Sequence, residues 1–149
     1  MLTNDSKKPA DSAANDTPVI EIRDLHKSYG DLDVLKGVSM TAGRGEVVSL
    51  IGSSGSGKST LLRCANLLED SQSGDILFEG EPIKWKGTGL ARRPKDRKQV
   101  MRIRTNLSMV FQQFNLWAHM TILENVMEAP VTVLGRDKAE VEKSARAYL

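Results

Sequence analysis

The sequence predicts an α/β fold, and three observations carry that expectation. Val47–Ile51 ("VVSLI") is short and almost wholly apolar, the pattern of a strand buried on both faces of a parallel sheet. Leu61, Leu62, Ala65 and Leu68 then recur at helical spacing, which predicts a helix from about Lys58 to Leu68. Upstream, Ile20 and Ile22 alternate with Glu21 and Arg23 within Val19–Leu25, as in a half-buried strand.

The remaining elements follow in order. Residues 1–17 are rich in Ser, Asp, Asn, Ala and Lys and lack aromatics, which predicts a disordered tail and leaves 18–149 as the folded part. Val34–Ala42 reads as a second strand, ended by the turn Gly43–Glu46. Asp75–Phe78 reads as a strand closed by a tight turn at Gly80, and Trp85–Arg93 as a loop. Pro94 suits the first position of a basic helix, Pro94–Arg104. Leu107–Gln112 is a further apolar strand, and Thr121 with Glu124 three residues on is a capping box that starts a helix. In the last helix, "GRDKAEVEKSARAYL", Val141, Ala145, Tyr148 and Leu149 share a face, and Glu142 is placed to pair with Arg146.

Composition excludes several classes. With 40% hydrophobic and 27% charged residues, the 149-residue chain is neither disordered nor membrane-spanning. The N-terminus lacks the apolar core of a secretory signal. Cys64 is the sole cysteine, so no intrachain disulfide forms, and it reads as a small apolar residue on a helix face. The net charge of +2 is unevenly spread: Lys84–Arg104 holds nine basic residues against Asp96 alone. Such a run is usually a solvated face; its candidate partners are nucleic acid, acidic protein and lipid headgroups.

The segment joining the apolar strand to the apolar helix, "GSSGSGKST", fits G-x-x-x-x-G-K-[ST] with Gly52, Gly57, Lys58 and Ser59 at the fixed places. A triphosphate must be held by inward-turned backbone N–H groups, which favours residues without a Cβ, here Gly52, Gly55 and Gly57. The helix N-terminus adds its own N–H groups and dipole. Lys58 supplies a compact positive charge and Ser59 a hydroxyl for Mg²⁺. A flexible linker would not join a buried strand directly to an amphipathic helix, and the strand–loop–helix context confirms the motif. Ser53, Ser54, Ser56 and Thr60 complete the expected phosphate-binding stretch.

This loop resembles the GxSGxGKST form of ATP-binding-cassette (ABC) ATPases. Other residues match that family in order. Tyr29, in "LHKSYG" and 23 residues before Gly52, resembles the aromatic residue that stacks on adenine. Gln112, which directly follows the apolar "VF" where its neighbour Gln113 does not, resembles the Q-loop glutamine that reaches Mg²⁺ and the attacking water. "QQFNLWAHMTILENVMEAPV" and "RIRTNLSMVFQ" are similar to the ATPase subunits of bacterial polar amino-acid importers of the histidine/arginine/opine type.

The resemblance implies a P-loop NTPase core with an antiparallel β subdomain, ending in or before the helical subdomain. It implies ATP and Mg²⁺ as cofactors, and transmembrane permease subunits and a second ATP-binding subunit as partners. A periplasmic amino-acid-binding protein acts indirectly, the location is the cytoplasmic face of the inner membrane, and no nucleic acid is expected. The alternative is a soluble ABC-type ATPase acting on nucleic acid or ribosomes. The family's LSGGQ signature, Mg²⁺-supporting Asp, catalytic Glu and switch His are not in the sequence; "LSMV" at Leu107, His26 and His119 do not match them. The 149 residues alone are therefore expected not to hydrolyse ATP.

Overall fold

The alternation of Ile20 and Ile22 with charged neighbours becomes one face of the central strand of an antiparallel sheet. A computed structural model describes residues 17–149, so the tail expected over 1–17 lies, but for Thr17, outside the described residues. The chain divides into two units, 1–108 and 109–149.

In the first unit the strands are β1 (Ile20–Tyr29), β2 (Leu32–Ala42), β3 (Ser73–Phe78) and β4 (Glu81–Pro82), in sheet order β2-β1-β3-β4. β1 pairs antiparallel with β2 from Ile20↔Ala42 to Tyr29↔Leu32, and with β3 from Ile20↔Phe78 to His26↔Ser73. Both ladders slip near Asp24, whose φ of 47° marks a bulge. Helices α1 (Lys58–Ala65) and α2 (Arg97–Asn106) close one face of the sheet. Leu61 and Cys64 from α1 and Ile103 from α2 join Ile20, Ile22, Leu25, Leu35, Ile76 and Phe78 in one apolar cluster. Burial pushes the Cys64 thiol up to about 11, as suits a packing residue.

Two predicted helices shift. α1 ends at Ala65 rather than Leu68, because Leu67 turns into the left-handed region (φ 58°) and the N–H groups of Leu68 and Glu69 fold back onto Arg63 O. α2 starts at Arg97 rather than Pro94: Pro94 is drawn into a two-stranded ribbon, β5 (Trp85–Lys86) with β6 (Arg93–Pro94). Asp96 becomes the cap, its carboxylate accepting from Lys98 N at 2.9 Å and Gln99 N at 3.2 Å. These bonds hold the Asp96 carboxyl below the usual aspartate range. The folded-state value being depressed, its contribution is present above the unfolded value and lost as pH falls through the folded one. Asp96→Asn is expected to remove that acid dependence of α2, seen as a flatter ellipticity-against-pH profile below the ordinary aspartate range.

The expected strands Val47–Ile51 and Leu107–Gln112 do not form. A strand exists only as one side of a ladder, and neither segment has a pairing partner among the described residues. Leu50 and Leu107 pack against the core, but most of the other apolar side chains are open to solvent: Val47 is 90%, Ile51 95% and Val110 96% exposed. Leu62 and Leu68, counted on the apolar face of α1, are exposed as well.

The basic segment is partly structural. Arg92 is buried over the Trp85 ring, 4.1 Å from its centroid, and donates to Gly74 O at 2.6 Å. Arg93 pairs with Asp70, Arg102 with Glu81, and Arg104 donates to Leu67 O. Arg92 and Arg102 thus tie the segment to β3 and β4, and Arg93 and Arg104 tie it to the turn after α1.

The second unit contains α3 (Ile122–Glu128) and α4 (Lys138–Tyr148), which pack Met127 against Val141 and Ala145. The capping box forms as predicted, and so does the Glu142–Arg146 pair at 2.7 Å. Tyr148 and Leu149 stay exposed, so only half of the predicted apolar face of α4 is covered. A wider π turn, Ala129–Val133, follows α3, because Pro130 has no N–H to continue the helical ladder.

Candidate functional site

The phosphate-loop residues Gly52–Thr60 lie in the first unit and run from an irregular segment into α1. Gly57 is the hinge. It is buried with φ 92°, and a Cβ there would sit 3.1 Å from Val34 O, Val34 Cγ1 and Leu35 Cδ2. The loop is thereby pressed onto β2, and α1 starts immediately beyond it. No side chain caps α1, no acidic residue stands in its first turn, and its first ladder bond is Leu61 N to Gly57 O at 2.8 Å. The helix therefore offers uncapped N–H groups and the positive end of its dipole at Lys58–Thr60.

Lys58 lies at the centre of the loop. Its ammonium donates to Gly52 O at 2.8 Å, Ser53 O at 2.6 Å and Ser56 Oγ at 3.3 Å. One cation thus gathers the front half of the loop around itself, with Ser56 N to Ser53 O closing a tight turn. Gly52 packs close to Ser56, where a Cβ would lie 2.8 Å from its Oγ. Ser53, Ser54, Gly55 and Ser59 are exposed and Thr60 is half-buried. The donor set suits a polyphosphate: free amides, one ammonium and hydroxyls, with no carboxylate among residues 52–60.

Tyr29 ends β1, at the tip of the hairpin whose second strand supplies Val34 and Leu35 behind Gly57. It is 44% exposed, and Lys27 Nζ stands 4.8 Å from its ring centroid. Lys27 also bonds Asp70 O and pairs with Glu69, which fixes that cation against the ring. Tyr29 borders a cleft of about 320 Å³ lined also by Ser28, Leu68, Gln72, Leu90 and Arg93. No residue of Gly52–Thr60 lines this cleft.

Gln112 belongs to the second unit, in an exposed irregular segment ahead of α3. That segment carries Phe114, Leu116 and Trp117, all exposed, and is bound to α3 by the side chain of Asn125. Sequence reasoning passed over Asn125. The available signal was an asparagine one residue past a capping-box glutamate, where a helix gains little from it. It also passed over Lys27 as the neighbour of Tyr29.

A glycine-rich loop that feeds an uncapped helix N-terminus, with one ammonium at its centre, is the architecture of the P-loop ATPases. The chain belongs to the ABC transporter family, whose profile matches residues 35–148. It is 56% identical over 131 residues to the arginine/ornithine transport ATP-binding protein AotP of Pseudomonas aeruginosa, covering 87% of this chain and 52% of that protein. It is 53% identical over 133 residues to the octopine permease ATP-binding protein P of Rhizobium radiobacter, covering 89% and 51%. With the histidine/lysine/arginine/ornithine transport ATP-binding protein HisP of Escherichia coli it shares 52% over 131 residues, covering 87% and 51%. The chain spans about half the length of the curated relatives it matches.

Among solved structures, the ATP-binding cassette MJ0796, a dimer bound to ADP and Pi, superposes with a TM-score of 0.68 at 31% identity, covering 86% of this chain and 54% of that one. CbiO1 of Clostridium perfringens, part of an ABC transporter complex, gives 0.66 at 29%, covering 86% and 47%. The fold is thus that of ABC ATPase domains, and the antiparallel sheet expected from the resemblance is present. No helix among the described residues is long and apolar enough to cross a membrane.

Proposed function

We infer that this chain is the nucleotide-gripping part of the ATP-binding subunit of a bacterial importer for polar or basic amino acids. The observation that carries the reading is the identity of 52–56% with transport subunits for arginine, ornithine, octopine and histidine. The loop geometry supports the same conclusion.

In this reading Lys58, the amides of Gly52–Thr60 and the α1 N-terminus hold the ATP phosphates. Ser59 would be a Mg²⁺ ligand, Gln112 would serve the metal and the attacking water in the complete subunit, and the face of Tyr29 not taken by Lys27 would stack the adenine. Bound MgATP supplies the phosphoryl group whose release drives transport. The chain's own contribution is charge stabilisation and positioning. Lys58 would give up Gly52 O and Ser53 O for phosphate oxygens, its ammonium being already drawn into the loop. Hydrolysis requires the LSGGQ, Asp and Glu elements that these 149 residues do not contain. Turnover is therefore not expected of the 149 residues alone. The working unit is a pair of ATP-binding subunits on the cytoplasmic face of the inner membrane, docked to permease subunits and served by a periplasmic binding protein.

The test is uptake by the complete subunit reconstituted with its permease and binding protein in proteoliposomes. ATP-dependent accumulation of labelled arginine, ornithine, histidine or octopine is expected. Absence of uptake for the whole panel, with permease-free protein that binds duplex DNA or RNA in a salt-dependent way, would assign it to a soluble nucleic-acid role instead.

A further inference from the structure

The ladder between β1 and β3 ends at His26↔Ser73, two residues short of Ser28. Beyond that point the side chain of Gln72 takes over. Its Oε1 accepts from Ser28 N at 2.9 Å, and its Nε2 donates to Ser28 O at 2.9 Å. A carboxamide carries the donor and the acceptor of a peptide group, so it adds one more rung where no strand is left to supply it. The backbone N of Gln72 also donates to His26 O at 2.9 Å. One residue thus grips β1 at two places, the second immediately before Tyr29.

Neighbouring residues act on the same strand end. Lys27 Nζ donates to Asp70 O at 2.8 Å, pairs with Glu69 at 3.2 Å and stands 4.8 Å from the centre of the Tyr29 ring. Glu69–Gln72 therefore straps β1 from His26 to Ser28. On the other side of Tyr29 the hairpin closes at the Tyr29↔Leu32 pair. The strap follows α1, which begins at Lys58. A single stretch of chain, Lys58 to Gln72, thus carries the phosphate loop's cation at one end and fixes the Tyr29 strand at the other. An aromatic residue at an unrestrained hairpin tip must be ordered when a base arrives, and that cost is subtracted from affinity; a strand end held in advance avoids it.

We propose that Gln72 is a positioning residue for nucleotide binding: by bonding both backbone groups of Ser28 it holds Tyr29 ready for the base. This rests on the adenine-stacking role proposed for Tyr29 above and deepens it.

The experiment uses the complete subunit and compares, by calorimetric titration, MgATP with magnesium tripolyphosphate, which keeps the phosphates and lacks the base. Gln72→Ala is expected to weaken MgATP binding about three- to tenfold, the loss that follows when a restrained side chain must be ordered on binding, and tripolyphosphate binding by less than about twofold. Gln72→Glu keeps the acceptor for Ser28 N but sets a carboxylate against Ser28 O, so it does not rescue. Tyr29→Ala is expected to weaken MgATP binding about tenfold or more, and in that background Gln72→Ala adds less than about twofold, because it acts through the ring. In the unaltered subunit, hydrogen exchange at the Ser28 amide is expected to be slower than the random-coil rate by about tenfold or more. Gln72→Ala with unaltered MgATP affinity overturns the proposal. So does an equal loss for both ligands, or an equal loss with and without Tyr29, since either places the effect elsewhere than the base. An unprotected Ser28 amide also overturns it, a measurement that stands even if the variants do not fold. Tyr29→Ala separates the two levels. If it weakens MgATP binding and Gln72→Ala does not, the positioning role alone fails; if Tyr29→Ala leaves MgATP affinity unchanged, the stacking reading fails and the proposal with it.

Discussion

Lys58→Ala in the complete subunit is expected to weaken MgATP binding by about 100-fold in a calorimetric titration, from the loss of one or two charge-assisted hydrogen bonds worth about 1.5–3 kcal/mol each. The gross attraction of an ammonium for a triphosphate is larger, but part is already used. In this structure Lys58 bonds Gly52 O and Ser53 O, and those bonds are exchanged rather than added when phosphate enters. Steady-state turnover should fall further than affinity, because the charge that builds on the phosphoryl oxygens in the transition state loses its nearest cation. Lys58→Arg is not a substitute: a planar fork cannot converge on the two carbonyls and the Ser56 hydroxyl as an ammonium does. Unchanged affinity in Lys58→Ala would remove the phosphate-binding reading of the loop.

Gly74→Ala is expected to have the largest effect on stability, lowering the melting temperature by roughly 10–20 °C, which corresponds to about 3 kcal/mol for a domain of this size. Gly74 is in β3 opposite the bulge of β1, with φ 87°. A Cβ there would lie 2.3 Å from Asp24 O and 2.7 Å from Arg23 O, both backbone atoms. The left-handed conformation costs about 1–2 kcal/mol for an L-residue, and parting two paired strands adds a similar amount. Arg92 also donates to Gly74 O, so displacement of β3 pulls on a buried guanidinium. At Gly57 the contacts are at 3.1 Å, and two of the three atoms met are side-chain tips that can yield. Differential scanning calorimetry distinguishes the outcomes; a loss of only a degree or two would mean that the bulge can flatten.

What could be read from the sequence was local. The helix after the glycine-rich stretch, the Thr121–Glu124 box, the Glu142–Arg146 pair and the alternation in β1 each depend on residues within a few positions of one another, and each is found in the structure. Val47–Ile51 carries the composition of a strand as clearly as β1 does, yet strand formation there depends on partners far away in sequence. The start of α2 had two local candidates, Pro94 and Asp96, and the ribbon with Trp85 decided between them. The placing of Tyr29 at the tip of the hairpin that backs Gly57 follows from register, which periodicity does not encode. Asn125 and Gln72 were hidden for a related reason: their side chains bond backbone, and backbone leaves no mark in a sequence.

Val47, Ile51 and Val110 stand open to water on segments outside any ladder, and Leu62 and Leu68 are exposed as well. Isolated surface of that kind recruits whatever hydrocarbon is nearest, whether a chaperone, a detergent micelle or another copy of the same polypeptide. A recombinant preparation of these 149 residues would therefore be a holdase client and a source of inclusion bodies, and its solubility would report on how completely those side chains had been given neighbours.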